Sequence, residues 1–312
     1  MKIIFMGTPQ LALASLEALR AEHEIALVVT QPDKPVRQGH KLQLTASPVK
    51  RRAVELGIPV SQPERARHED FVARLQEVAP DAIAVVAYGQ ILPRAVLELA
   101  PRGCINLHFS LLPRWRGAAP VQYAILAGDT VTGVTTQWMA EKLDSGDIIL
   151  QREMAIGPTE TTSELLERLT PLGAETLRDT MRLIEQGTAP RIPQDEAHVT
   201  LAPSIKKEMG CLDWSQTAAS LVNRVRAMNP WPGAWCEFRE TPLKIWRAQV
   251  ANLDLSVPQQ PGTVLEVTGN GIVVATGDAA LQLVEAQAAG KPRMSAADWA
   301  RGARIAVGEK LG

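Results

Sequence analysis

Short apolar runs alternate with amphipathic segments along the first half of the chain. KIIFMG reads as a buried strand, LALASLEALR as the helix after it, EIALVVT as the next strand and SPVKRRAVEL as a second helix. DAIAVVAYG and GCINLHFS follow as a third and a fourth strand. Strands separated by helices predict an α/β fold: a Rossmann-like, mostly parallel sheet with helices on both faces. Ligands of such sheets bind beyond the carboxyl ends of the strands, where the loops after Gly7, Tyr88 and His108 are expected to converge.

The pattern breaks at QGTAPRIPQDEAHVTLAPSI, where prolines recur and apolar periodicity stops. This reads as a linker over 190–207, dividing a first domain at 1–189 from a second at 208–312. Beyond it SQTAASLVNRVRAM predicts a helix capped by Ser215 and stopped by NPWPG. PLKIWRAQV, GTVLEVT, GIVVATG and ALQLVEAQ then predict short strands of a small OB-like β-barrel, with Trp214, Trp231 and Trp235 in its core.

At 312 residues, 46% apolar, 21% charged and with a net charge of -1, the composition forces no polyanionic partner. Charge is concentrated locally, however, because residues 34–52 carry six Lys or Arg and no acid. The run 34–48 reads as a basic loop inserted in the first domain; taken alone, such a run is more often a solvated face. Three scattered cysteines, Cys104, Cys211 and Cys236, show no metal-ligand spacing and suit a reducing, cytoplasmic compartment. No apolar run reaches membrane-spanning length. The first loop, GTPQLA, lacks the further glycines of a dinucleotide fingerprint, and no phosphate-binding GxxxxGK[ST] occurs.

One strand carries unusual chemistry. In INLHFS the period-two alternation puts Asn106 and His108 on one face and Leu107 and Phe109 on the other. An Asn amide can donate to the oxyanion of an acyl-transfer reaction, and a His can donate to it or move the proton of an attacking amine. Such a His needs a carboxylate, and Asp144 of LDSGDIIL stands in a tight turn. A strand His is also a common satisfied core residue, and an Asp-Ser-Gly turn commonly bonds only its own backbone.

INLHFSLLPRWRGAAPVQYAILAGDTVTGVTTQWM followed by LDSGDIIL resembles the core signature of the 10-formyltetrahydrofolate-dependent formyltransferases. FMGTP, TQPDKP, VVAYGQILP and LDWSQTAASLVNRVRAMNPWPGAW extend the likeness over almost the whole chain, toward the branch that formylates methionyl-tRNA. The resemblance implies transfer of the formyl group of 10-formyltetrahydrofolate to the α-amine of methionyl initiator tRNA. It assigns Asn106 and His108 to oxyanion stabilisation and Asp144 to orienting His108. It assigns Ser110, Leu111, Leu112, Pro113, Tyr88, Gly89 and Ile91 to the folate pocket. Arg37, His40 and Lys41 of the basic loop are expected to meet tRNA, helped by Arg114, Arg116, Lys206 and Lys207. Neither a metal nor a membrane is implied, and a monomer is expected. The alternative acceptors are an amino-sugar nucleotide and glycinamide ribonucleotide.

Overall fold

A computed structural model describes residues 1–38, 41–253 and 259–312, so the expectation for His40 lies outside the described residues. The chain forms two compact units. The first takes in Met1–Pro120, Val131–Ala155 and Leu166–Ala202, and the second Val121–Thr130, Ile156–Leu165 and Pro203–Gly312.

In the first unit the apolar runs fold as read. Strand β1 (Lys2–Gly7) leads to helix α1 (Ala12–Arg20), β2 (Glu24–Val29), a hairpin of β3 (Lys34–Gln38) and β4 (Lys41–Thr45), and α2 (Pro48–Glu55). Then come β5 (Val60–Ser61), α3 (Glu69–Val78), β6 (Ala82–Val86), α4 (Arg94–Leu97) and β7 (Cys104–His108). Along the chain, helix α5 (Pro120–Ala127), counted with the second unit after its first residue, β8 (Val131–Trp138), β9 (Ile148–Ala155) and α6 (Thr162–Gln186), counted with the first unit from Leu166, follow. The sheet runs β5-β2-β1-β6-β7-β8-β9; its first five strands are parallel, β8 runs antiparallel to β7, and β9 antiparallel to β8. Ile4, Met6, Ile83 and Val85 pack with Phe71 and Leu75 of α3 on one face. On the other, Leu107 and Phe109 meet α6 at Gly173, where a Cβ would come within 3.0 Å of Leu107 and 3.4 Å of Phe109. Such a core gains about 1.5–3 kcal/mol for each large aliphatic side chain buried.

Two sequence expectations change here. The basic run is not an irregular loop: Lys34, Val36 and Gln38 pair with Thr45, Gln43 and Lys41 in an antiparallel ribbon. The segment read as a linker is not free either, because Ile192 pairs with Ile148, and Leu201 with Arg116, through backbone bridges. Its lack of periodicity reflects a strap held by isolated bridges rather than by a regular element.

The second unit contains α7 (Ala218–Ala227), β10 (Ala234–Phe238), β11 (Thr241–Val250), β12 (Val264–Thr268), β13 (Gly271–Ala275), β14 (Ala280–Ala288), β15 (Met294–Ser295) and α8 (Ala296–Ala303). Its strands form an antiparallel sheet in the order β10-β11-β14-β13-β12, with β15 on β14, compatible with the small-barrel expectation. Thr217, not Ser215, caps α7: its hydroxyl accepts from Ser220, while Ser215 bonds Asp213. Trp214 is buried as expected, but Trp231 is 59% exposed, on the outer side of a turn whose Asn229, Pro232 and Gly233 are buried. Among the described residues no helix is long and apolar enough to cross a membrane.

Candidate active site

The parallel part of the sheet ends in a cavity of about 600 Å³ that reaches from the carboxyl ends of β6 and β7 to the segment after β8. Asn106 and His108 line it from β7, Tyr88, Gly89 and Ile91 from the loop after β6, and Gln137, Met139, Leu143 and Asp144 from β8 and the turn beyond. The strand register explains the grouping. Asn106 lies opposite Val85 on one side and Gln137 on the other, and His108 lies opposite Thr135.

His108 is 6% exposed. Its Nε2 stands 2.9 Å from the carbonyl of Trp115, which can only accept, so Nε2 carries a proton and donates it. In the neutral ring Nδ1 is then the bare nitrogen, and it faces Asp144 Oδ2 at 3.7 Å, beyond hydrogen-bond reach. The group that hydrogen-bonds His108 is therefore a backbone carbonyl, and the Asp144 carboxylate stands beside the ring at ion-pair distance without a hydrogen bond to it. That carboxylate is fixed in turn, accepting from Gly117 N–H at 2.9 Å and from the Gln137 amide at 3.2 Å. Asp144 adopts a left-handed backbone with φ 49°, which short polar side chains tolerate and which aims the carboxylate inward. The side-chain amide of Asn106 has no hydrogen bond among the described residues and stands free at the cavity wall.

The loop after β6 is positioned from two sides. Thr8 donates its hydroxyl to the Tyr88 carbonyl at 2.9 Å, and Gln31 donates its amide to the Gly89 carbonyl at 2.8 Å. Ile91 is left 83% exposed at the mouth, with Leu143 63% exposed across from it. Burial pushes the Tyr88 phenol up to about 12, so its ring is a neutral wall.

Ser110, Leu111, Leu112 and Pro113 do not line the cavity. The chain turns away after His108 and is fastened over β8 and β9. Thr135 donates to the Ser110 carbonyl at 2.6 Å and accepts from Leu112 N–H at 3.1 Å, and Gln151 donates to the Leu112 carbonyl at 2.9 Å. Phe109, as the alternation predicted, sends its ring to the α6 side.

The residues expected at tRNA divide. Lys206 and Lys207 are exposed, as is Arg114, whose guanidinium lies 5.2 Å from the Trp115 ring centre. Arg37 and Lys41 sit on the two strands of the β3–β4 ribbon. Arg116 is a correction: it is 3% exposed, binds Gln194 at 2.9 and 3.0 Å and pairs with Glu196 at 2.7 Å, so it is a buried tie within the first unit. Two more cations of the basic run are also engaged, Lys50 with Asp33 and Arg52 with Glu17, each at 2.6 Å. Sequence reasoning missed Gln137 and Gln194. The alternation TGVTTQW could have placed Gln137 beside Asn106, whereas nothing local marks Gln194.

An amide donor, a bare imidazole nitrogen and a carboxylate at one partly apolar cleft suit attack of a neutral amine on a carbonyl carbon. Among the described residues no three His, Cys, Asp or Glu side chains are grouped as a metal site. Cys104 lies close to the cavity but is buried against the Met139 sulfur, with its thiol pushed well up by desolvation, which makes it a poor nucleophile.

The formyl transferase family matches residues 1–181, and the formyl transferase C-terminal domain matches residues 204–304. Over its whole length the chain is 48% identical to a methionyl-tRNA formyltransferase of Symbiobacterium thermophilum, 95% of which is covered. It is 44% identical to one of Clostridioides difficile and 47% identical to one of Streptomyces coelicolor, with both chains covered in full. Among solved structures, HypX from Aquifex aeolicus in complex with tetrahydrofolic acid matches with a TM-score of 0.64 at 19% identity, over 99% of this chain and 48% of that one. The sugar 3N-formyl transferase WlaRD matches with a TM-score of 0.67 at 18% identity, over 94% of this chain and 99% of that one. At such identities the two structures speak for the fold alone.

Proposed function

The chain belongs to the formyl transferase family, and from that premise we infer that it transfers the formyl group of 10-formyltetrahydrofolate to the α-amine of methionyl initiator tRNA. The single observation that carries the reading is the convergence of Asn106, His108 and Asp144 on one cavity within a chain alike over its full length to methionyl-tRNA formyltransferases. The amino-sugar alternative is matched only at the level of the fold, by WlaRD at 18% identity, against 44–48% for the methionyl-tRNA formyltransferases.

The cavity fits a reduced folate: it is roomy, mostly apolar and edged by the free amide of Asn106. Tyr88, Gly89, Ile91 and Leu143 would hold the donor at the cavity wall and mouth. The N10-formyl group supplies the carbonyl carbon that the amine attacks. Asn106 donates to the carbonyl oxygen as negative charge gathers there. His108 Nδ1 takes the proton released as the amine nitrogen bonds to carbon, and the resulting imidazolium faces Asp144 across 3.7 Å. The Trp115 carbonyl keeps the ring from turning over during this exchange, so the proton held on Nδ1 passes to N10 as the carbon–N10 bond breaks, which releases tetrahydrofolate and restores the neutral imidazole. The acceptor end is brought in by phosphate contacts of the basic ribbon, with Arg37 and Lys41 on its strands, and by Arg114. The C-terminal unit, with Lys206 and Lys207 exposed at its start, binds the body of the tRNA. The enzyme acts in the cytoplasm, as a monomer and without a metal.

The test mixes the purified protein, 10-formyltetrahydrofolate and methionine-charged initiator tRNA, and reads formyl-methionyl-tRNA on an acid gel with charged elongator tRNA as control. Formylation confined to the initiator supports the reading. Folate binding with neither tRNA formylated overturns the acceptor.

A further inference from the structure

We propose that Gln194 and Thr200, in the strap that the sequence presents as a linker, are positioning residues of the transfer site, Thr200 setting the His108 ring through Trp115 and Gln194 setting the turn that carries Asp144. The proposal deepens the function inferred above and rests on it. Neither side chain lines the cavity, so each acts through another residue.

Trp115 adopts φ 62°, a left-handed conformation that a bulky side chain keeps only when its surroundings hold it. What holds it is the strap. Trp115 N–H donates to the Thr200 hydroxyl at 2.8 Å, Arg116 N–H to the Thr200 carbonyl at 2.9 Å, and Ala202 N–H to the Arg116 carbonyl at 2.8 Å. The Trp115 carbonyl, which fixes the protonated nitrogen of His108, belongs to the peptide clamped by these bonds. Thr200 thus decides which ring nitrogen is left bare toward Asp144.

Gln194 works on the other partner. Its amide nitrogen donates to the carbonyls of Asp144 and Gly146, both at 2.8 Å, and its amide oxygen accepts twice from the buried guanidinium of Arg116. Two donors and two lone pairs are all that an amide offers, and here all are used. A glutamate in this place keeps both Arg116 contacts and loses both donors to the turn; an asparagine is one methylene short.

The experiment labels histidine with ¹⁵N and follows the His108 ring by NMR in the wild type and in Thr200→Val, Thr200→Ser and Gln194→Glu, alongside kcat and KM for both substrates. The wild type is expected to show the Nε2-protonated tautomer, and Thr200→Val a mixture with the Nδ1 form. Its kcat is expected to fall roughly 10- to 100-fold with KM within about twofold, and Thr200→Ser to restore both signals. Gln194→Glu is expected to lower kcat similarly while its tautomer stays wild-type, and it carries the test if Thr200→Val folds poorly. A single unmixed tautomer and full kcat in Thr200→Val, or a kcat loss that serine does not rescue, overturns the role of Thr200. Full kcat in Gln194→Glu overturns that of Gln194. The ring signal is read without substrate, so it judges the positioning of His108 even if no charged tRNA is formylated.

Discussion

His108 and Asp144 face each other at 3.7 Å without a hydrogen bond, while the far nitrogen of the same ring is tied to the Trp115 carbonyl at 2.9 Å. The backbone thus supplies the hydrogen bond that orients the ring, and in the proposed mechanism the carboxylate acts on it through charge. His108→Ala is expected to lower kcat by about 10²–10⁴ with tRNA affinity nearly intact. Asp144→Asn, which keeps an acceptor for Gly117 N–H, is expected to lose less. Steady-state kinetics decide; an undiminished His108→Ala enzyme removes His108 from the mechanism.

In the proposed mechanism Asn106 donates only once charge develops on the substrate oxygen, since its amide has no other partner among the described residues. Asn106→Ala is expected to reduce kcat by about 10²–10³, or about 2.7–4 kcal/mol of transition-state stabilisation, and to leave KM for the folate close to unchanged. A loss confined to KM would make Asn106 a binding residue instead.

Arg116 and the pair Arg37 and Lys41 separate burial from recognition. Arg116→Met is expected to cost about 1–3 kcal/mol of stability, read as a lower Tm, with the salt dependence of tRNA binding unchanged. Replacing Arg37 and Lys41 by Ala is expected to do the reverse, reducing the log–log salt slope by up to about two at constant Tm. An unchanged slope in the double variant returns the ribbon to the status of a solvated face.

Glu164 closes a capping box at the start of α6. The Thr161 N–H and hydroxyl, both at 2.8 Å, and then Arg247, pull its carboxyl down to about 2 from 4.5. A depressed native value stabilises the fold above the ordinary value, and that stabilisation drains away as pH falls from 4.5 toward 2. Glu164→Gln is accordingly expected to be less stable than the wild type by a constant amount above about pH 5.5, with the gap narrowing below 4.5. Denaturant titrations across that range check it, and a gap that widens in acid refutes the assignment.

Much of this was legible in the chain, and the reasons differ by element. The parallel strands announce themselves because they are buried on both faces, as KIIFMG and AIAVV are. Asn106 and His108 were legible because strand alternation is local. Helix α6 was not read, although TTSE is a capping-box signal, because Pro171 and Gly173 interrupt its 25 residues. The strap was misread because its bonds run to residues some 50 to 85 positions away, from Gln194 to Asp144 and from Thr200 to Trp115, and no local pattern encodes such partners. Arg116 looked like a surface cation for the same reason, since its partners Gln194 and Glu196 lie beyond any helical or strand spacing.

Two glycines near His108 and Asp144 limit how this site can be altered. A Cβ at Gly117 would lie 2.4 Å from the Ala202 carbonyl oxygen, and one at Gly146 only 1.6 Å from that of Trp138, backbone atoms with no room to yield. Any library built to change the acceptor must leave both positions fixed. Ile91 and Leu143, exposed at the mouth of the cavity, have room for other side chains, so changes there alter the grip on the donor while the floor keeps its backbone.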